Sequence, residues 1–243
     1  VSNRTRLVAV LLAALLVLGV LLAAVLPRGG EDGDESGDET SAQSADLDGI
    51  PDVVATVNGE DITRDEFVAI YEPQFEQTAG QAEMSGEPID QDQLKQETLD
   101  LLIDNRLLVQ EAESRGLSAT DEEIDELLTT YATNSGVESP EEYLAQLEEQ
   151  QDLSADEVRE QIADGVTVQS LVDDEIGDAP ASEEELRELY DQAVASQAEG
   201  AELPPFEEVR EQLEEQVRSQ KQQETYQTLV DAAREDADIE THL

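Results

Sequence analysis

The stretch Leu94–Gly116, LKQETLDLLIDNRLLVQEAESRG, decides the fold. Between Leu99 and Val109 seven of eleven residues are large aliphatics: Leu99, Leu101, Leu102, Ile103, Leu107, Leu108 and Val109. No glycine, proline or β-branched run interrupts them, so helix is the favoured local conformation. Leu94, Thr98, Leu101, Leu102, Leu108, Val109 and Ala112 form one stripe at three-to-four spacing, and Leu99, Ile103 and Leu107 form a second. One stripe suits a helix lying on a surface; two predict a helix covered on most sides. At roughly 1.5–3 kcal/mol per buried side chain, this segment alone supplies on the order of 10–20 kcal/mol of gross apolar burial. Asp90, with Gln93 three residues on, predicts its start, and Gly116 a left-handed residue just past its end. The fold class is therefore mainly α, organised on a central core helix.

Upstream, Val53–Thr63 (VVATVNGEDIT) reads as two short strands around Asn58-Gly59, a strong two-residue hairpin signal. Thr63 with Glu66 forms a capping box that opens a helix on which Phe67, Tyr71 and Phe75 stand four apart. That stripe reads first as core against the central helix and second as an exposed apolar face. Pro73 falls inside it and predicts a kink or an end, and Thr78–Pro88, with Gly80, Gly86 and Pro88, reads as a loop. Gly29–Asp52 carries five glycines, three serines and nine carboxylates, a composition that self-repels and builds no core, so residues 29–52 are expected to be a disordered acidic tether. Its Asp46, Asp48 and Asp52 supply too few oxygen ligands for a calcium loop. Residues 1–28 hold the uncharged run Leu7–Leu26, about 30 Å as a helix, preceded by Arg4 and Arg6. With nine acids and no further base between Gly29 and Asp52, the reading is a retained signal-anchor in the cell membrane, the N-terminus cytoplasmic and the bulk of the chain extracytoplasmic.

Downstream, four more helix starts repeat the box: Thr120/Glu123, Ser139-Pro140/Glu142, Ser154/Glu157 and Ser182/Glu185. The helices are expected over about residues 121–133, 140–151, 155–176 and 183–197. Pro204-Pro205 start a last long helix, roughly 206–234, with apolar stripes Phe206, Val209, Leu213, Val217 and Leu229, Val230, Ala233. Between them Ser219–Thr225 (SQKQQET) has no apolar residue, the pattern of a helix bridging two packed regions. Ala237–Leu243 alternates loosely and is expected to add a strand to the N-terminal hairpin. Residues 53–243 thus make one domain.

Composition narrows the chemistry. Sixty-one acidic residues against thirteen basic ones give a net charge of −48, which repels phosphate backbones and excludes nucleic acid as a partner. There is no cysteine, and histidine occurs once, at His242, so neither a thiol or Ser-His-Asp nucleophile nor a zinc site is expected: catalytic residues none, metal none, cofactors none. Paired carboxylates are so abundant that no acid/base pair stands out.

In order, VATVNGEDITRDEF (Val54–Phe67), ETLDLLIDNRLLVQEAESRGLSATDEEIDELL (Glu97–Leu128), ASEEELRELYDQ (Ala181–Gln192) and PFEEVREQLEEQVRSQKQQETYQTLVDAA (Pro205–Ala233) resemble the SurA/PrsA group of extracytoplasmic folding factors. The resemblance implies a SurA N-terminal-like helical chaperone domain, closed by a C-terminal helix and strand, which offers an apolar cradle to unfolded or newly exported chains without ATP. Many members insert a parvulin prolyl isomerase domain before the final helix. Here the corresponding interval, Ala198–Pro205 (AEGAELPP), is eight residues, too short for such a domain. The expected function is a membrane-anchored holdase, not an enzyme. The alternatives are an isomerase homologue with residual activity and a dedicated envelope assembly protein. Phe67, Tyr71, Phe75 and Phe206 are the candidate peptide-binding residues, and client proteins, the membrane through Leu7–Leu26 and a second copy of the chain in a homodimer are the expected partners.

Overall fold

A computed structural model of the chain describes residues 44–86, 88–151, 153–177, 181–195 and 204–243. The element order is β1 (Val53–Val57), β2 (Glu60–Thr63), α1 (Arg64–Ser85), α2 (Gln91–Ser114), α3 (Asp121–Asn134), α4 (Pro140–Gln151), α5 (Ala155–Ile176), α6 (Glu183–Ala195), α7 (Phe206–Asp236) and β3 (Ile239–Thr241). Leu7–Leu26 lies outside the described residues, and among these no helix is long and apolar enough to cross a membrane.

Helix α2 is covered on two sides, by different partners along its length. Leu99, Ile103 and Leu107 pack with the hairpin and with Phe67, Tyr71 and Phe75 of α1. Leu108 and Ala112 pack with Val168, Leu171 and Val172 of α5 and Leu229 and Val230 of α7. The buried positions therefore come from both sequence stripes, while Leu101, Leu102 and Val109 are only half-buried. The helix ends in a Schellman motif: Leu117 N–H bonds to the Ala112 carbonyl and Gly116 N–H to Glu113, with Gly116 at φ +76°. A second apolar cluster surrounds the first half of α5, where Val158, Ile162 and Val166 meet Ile124, Leu128 and Tyr131 of α3 and Tyr143 and Leu147 of α4.

The capping boxes form as the sequence predicts at Thr63, Thr120 and Ser154. Ser182 and Glu185 exchange the same two bonds. At Ser139 the motif is altered: the hydroxyl accepts from Glu142 N–H, but the Glu142 carboxylate accepts from Glu138 N–H instead of Ser139.

The sheet order is β2-β1-β3, both pairings antiparallel. Asn58 (φ 53°) and Gly59 (φ 87°) both take the left-handed conformation that a tight hairpin turn requires. Asn58 also fastens the far end of the chain, since its N–H donates to the Asp238 carbonyl and its side-chain oxygen accepts from Asp238 N–H at 2.9 Å.

Two expectations change. Pro73 neither ends α1 nor opens a loop: the helix continues to Ser85 and closes at Gly86, whose N–H bonds to Ala82. Thr78–Pro88 is thus mostly helix, because Pro73 removes one backbone donor whereas the helix-favouring residues beyond it, with Ala79 packed on the hairpin cluster, continue the ladder. Residues 44–52, read as the end of a disordered tether, lie on the domain. Ile50 is buried, Ala45 and Leu47 pack against the hairpin cluster, and Gln91 accepts from Asp46 N–H at 2.8 Å while donating to the Ser44 carbonyl. Lys95 pairs with Asp46 at 3.4 Å. Three apolar residues outweigh the local acidity once α1 and α2 give them a surface.

Candidate functional site

Helix α7 is long, and its two halves belong to different packing units. Leu229 and Val230 sit in the body with α2 and α5, whereas Leu213 and Val217 sit with Leu186 of α6. About 18 Å of helix separates Val217 from Leu229. The intervening polar waist is held by side chains: Arg218 and Gln222 both approach Asp173 of α5, at 3.5 and 3.3 Å, and Lys221 pairs with Glu185 of α6 at 2.8 Å. Contact with Lys221, then with the Ser182 hydroxyl, holds the Glu185 carboxyl down at about 2. Helix α6 and the first half of α7 therefore form an arm with a small apolar cluster of its own.

In the arm apolar side chains remain reachable, as Leu243 (42% exposed) does beside the sheet. Only Leu186, Leu213 and Val217 are fully buried in it, while Leu189, Tyr190, Phe206 and Val209 pack around them half-covered. Val194 on α6 is 49% exposed. Tyr190 meets Phe206 edge to face at 5.6 Å and donates its hydroxyl to the Pro204 carbonyl. The Arg187 guanidinium lies over the Phe206 ring, 5.3 Å from its centre, and bonds to Glu183. Glu183 also pairs with Arg210 at 3.3 Å, and these contacts, Arg187 first, lower its pKa. Between α6 and α7 a cleft of about 250 Å³ is lined by Glu185, Glu188, Gln192, Gln220, Lys221 and Glu224, with Leu189 and Val217. Its lining is mostly polar and rich in carboxylates, and with the half-covered apolar residues of the arm beside it the surface suits a segment that mixes apolar and basic residues.

Of the four residues proposed from sequence, the structure brings three together in a place closed to a ligand. Phe67, Tyr71 and Phe75 are 0, 0 and 3% exposed. Phe67 stacks on Tyr71 at 5.5 Å, and the Tyr71 hydroxyl donates to Gln91 at 3.0 Å. Leu99, Ile103, the hairpin and the docked residues 44–52 cover them, so the stripe is core. Phe206 alone stands at an accessible place. Sequence reasoning missed Leu189 and Tyr190 as its companions. Their signal was the apolar spacing Leu186, Leu189, Tyr190 facing the Phe206–Val217 stripe, which shows only once the two helices are paired. Among the described residues no open cradle lies between α2 and the second half of α7, where Leu108, Leu171 and Val230 pack together.

The strongly raised carboxyl lies elsewhere. Burial at the junction of α5 with α2 and α1 pushes Asp164 up to about 6; Arg106 opposes the shift, and Glu160, Glu66 and Glu113 add to it. Arg106 itself pairs with Glu66 at 2.6 Å and Glu60 at 3.5 Å. Among the described residues no group of three His, Cys, Asp or Glu side chains is arranged to hold a metal ion. His242 serves the sheet through its backbone, donating N–H to the Val54 carbonyl.

Comparison with known proteins follows the same outline. Residues 3–172 match the family described as SurA-like N-terminal domain. The foldase protein PrsA of Caldanaerobacter subterraneus subsp. tengcongensis is 29% identical over 149 residues, a match that takes in 58% of this chain and 42% of that protein's length.

Proposed function

The chain belongs to the family of SurA-like N-terminal domains, the chaperone part of such folding factors, and we propose from that premise that it is an ATP-independent holdase for unfolded or newly exported proteins. The observation that carries the proposal is the arm: a three-residue core ringed by half-covered Leu189, Tyr190, Phe206 and Val209, with Val194 open to solvent. Apolar side chains left at the surface of so charged a molecule are a contact site for other apolar segments. Capture there requires no nucleotide and no covalent step, only apolar area and complementary charge.

The holdase works at the outer face of the membrane, held by Leu7–Leu26 as a signal-anchor. The hydropathy of that run supports this, as does the start of the family match at residue 3, which takes the run in. The expected result of an alkaline carbonate wash is retention in the membrane pellet, and release would refute the anchor. The similarity to a foldase leaves the short Ala198–Pro205 interval as the argument against isomerase activity, and no acceleration of proline-limited refolding is expected.

The central test is aggregation of a chemically unfolded client in the presence of the full chain in neutral-lipid nanodiscs. Equimolar protein slows light scattering if the reading is right, without ATP. Scattering that proceeds as with empty nanodiscs would refute it. In-cell cross-linking then separates a holdase, which joins many exported proteins, from an assembly factor, which joins mainly one.

A further inference from the structure

The arm already holds a cation on an aromatic face, and that cation is its own. Arg187 lies within the about 6 Å at which a guanidinium is attracted to a ring. Tyr190, edge-on to Phe206, fixes the orientation of that ring from the side. Arg187 is poorly held in return: its side chain is 64% exposed, and among the described residues its ion pair is an i,i+4 contact with Glu183. Such exposed pairs are weak. Glu183 has a second partner in Arg210, so it would not be stranded by the departure of Arg187. Phe206 opens α7, where the positive helix end would disfavour a cation, but Glu207 and Glu208 occupy that first turn and offset it. Arg187 is also the lone base among Glu183, Glu184, Glu188 and Asp191 along the adjoining open cleft on α6.

We propose that the Phe206 ring, steadied by Tyr190, is the seat for an arginine or lysine side chain of a bound client segment, and that Arg187 is the resident occupant which the client displaces. The occupant is specified by charge complementarity and by the guanidinium already there, and the flanking Leu189 and Val209 receive the segment's neighbouring apolar residues. The proposal rests on the holdase reading only for the identity of the ligand as a client. It turns general acidity into a specificity rule: basic residues next to apolar ones bind, and their neutral counterparts bind less well.

The test uses the full chain in phosphatidylcholine nanodiscs and two fluorescent peptides, one alternating leucine and arginine, the other leucine and citrulline. Arg187→Gln is expected to tighten the arginine peptide about two- to fivefold, because the seat is vacated. Phe206→Leu, which keeps the apolar packing, is expected to weaken it by about the same factor and to erase the effect of Arg187→Gln in the double variant. Arg210→Gln removes an equal charge from the same arm while leaving the Arg187–Phe206 contact in place, and is expected to give a smaller gain. The citrulline peptide is expected to respond to none of them. An Arg187→Gln variant with unchanged or weaker affinity overturns the proposal. So does an equal gain from Arg210→Gln or an equal response of the citrulline peptide, which would also expose mere loosening of the arm. Failure of aggregation suppression with this pattern intact would sink the holdase reading alone; retained suppression with a flat pattern would sink the seat alone.

Discussion

Leu108→Ala is the sharpest test of where the molecule is held together. Leu108 is 0% exposed and touches the one cluster to which α2, α5 and α7 all contribute. Truncation removes three side-chain carbons and leaves a void that three helices would have to move in concert to close. Such a site falls in the Leu→Ala range of about 2–5 kcal/mol. For a domain of this size each kcal/mol moves the midpoint by about 2–4 °C, so the melting temperature should fall by about 4–20 °C. The comparison variant is Leu102→Ala, one and a half turns away on the same helix but only half-buried, whose loss should be less than half as large. Far-UV circular dichroism of the two variants, melted side by side with the parent chain, reads both. If Leu102→Ala proves the more damaging, the faces of α2 have been assigned the wrong way round and the three-helix junction is not the keystone.

Three further outcomes are expected. The Asp164 carboxyl keeps its proton up to about pH 6 in the folded chain but releases it near 3.8 when unfolded, so folding takes up a proton in that window and stability falls as pH rises through it. Asp164→Asn should therefore be about 1–3 kcal/mol more stable than the parent above about pH 7, with the advantage gone below about pH 4; a variant less stable at neutral pH would mean that attraction to Arg106 outweighs burial. With 61 acids against 13 bases, self-repulsion should dominate the few ion pairs, and the melting temperature should rise steadily from about 0.01 to 1 M NaCl, a flat or falling curve arguing otherwise. Gly59→Ala has open space around the new methyl but must hold φ +87°, so it should destabilise by about 1 kcal/mol and speed hydrogen exchange of the His242 amide, while an unaltered exchange rate would show the hairpin turn to be dispensable to β3.

Signals confined to neighbouring residues are legible in the amino-acid sequence by itself. Thr63, Thr120, Ser139, Ser154 and Ser182, each with Glu three residues on, do stand at helix starts, because the capping bonds are made within a few residues. Asn58-Gly59 does make the hairpin, and the apolar gap at Ser219–Thr225 does mark the passage of α7 between two packing units. What fails depends on distant partners. Whether Phe67, Tyr71 and Phe75 face water or core is settled by Leu99, Ile103 and residues 44–52, and nothing in the spacing of the three rings encodes that cover. Residues 44–52 look like more of the tether because their acids outnumber any single apolar neighbour, while the surface that receives Leu47 and Ile50 exists only after α1 and α2 have met. The arm divides in the same way. Phe206 is visible as an aromatic at a helix start, but Arg187 over its face and Tyr190 at its edge come from a helix on the other side of a connection.

The bond between Asn58 and Asp238 spans 180 residues, and β1 lies in the middle of its sheet only because β3 arrives from the far end of the chain. A polypeptide synthesised from its N-terminus therefore carries an open-edged hairpin until residues 239–241 have been made. Early helix formation does not finish the domain; the pairing of β3 does so. Until that pairing is made one strand edge stands unpartnered, so the domain passes through a stage open to wrong strand addition that lasts as long as synthesis takes to reach β3.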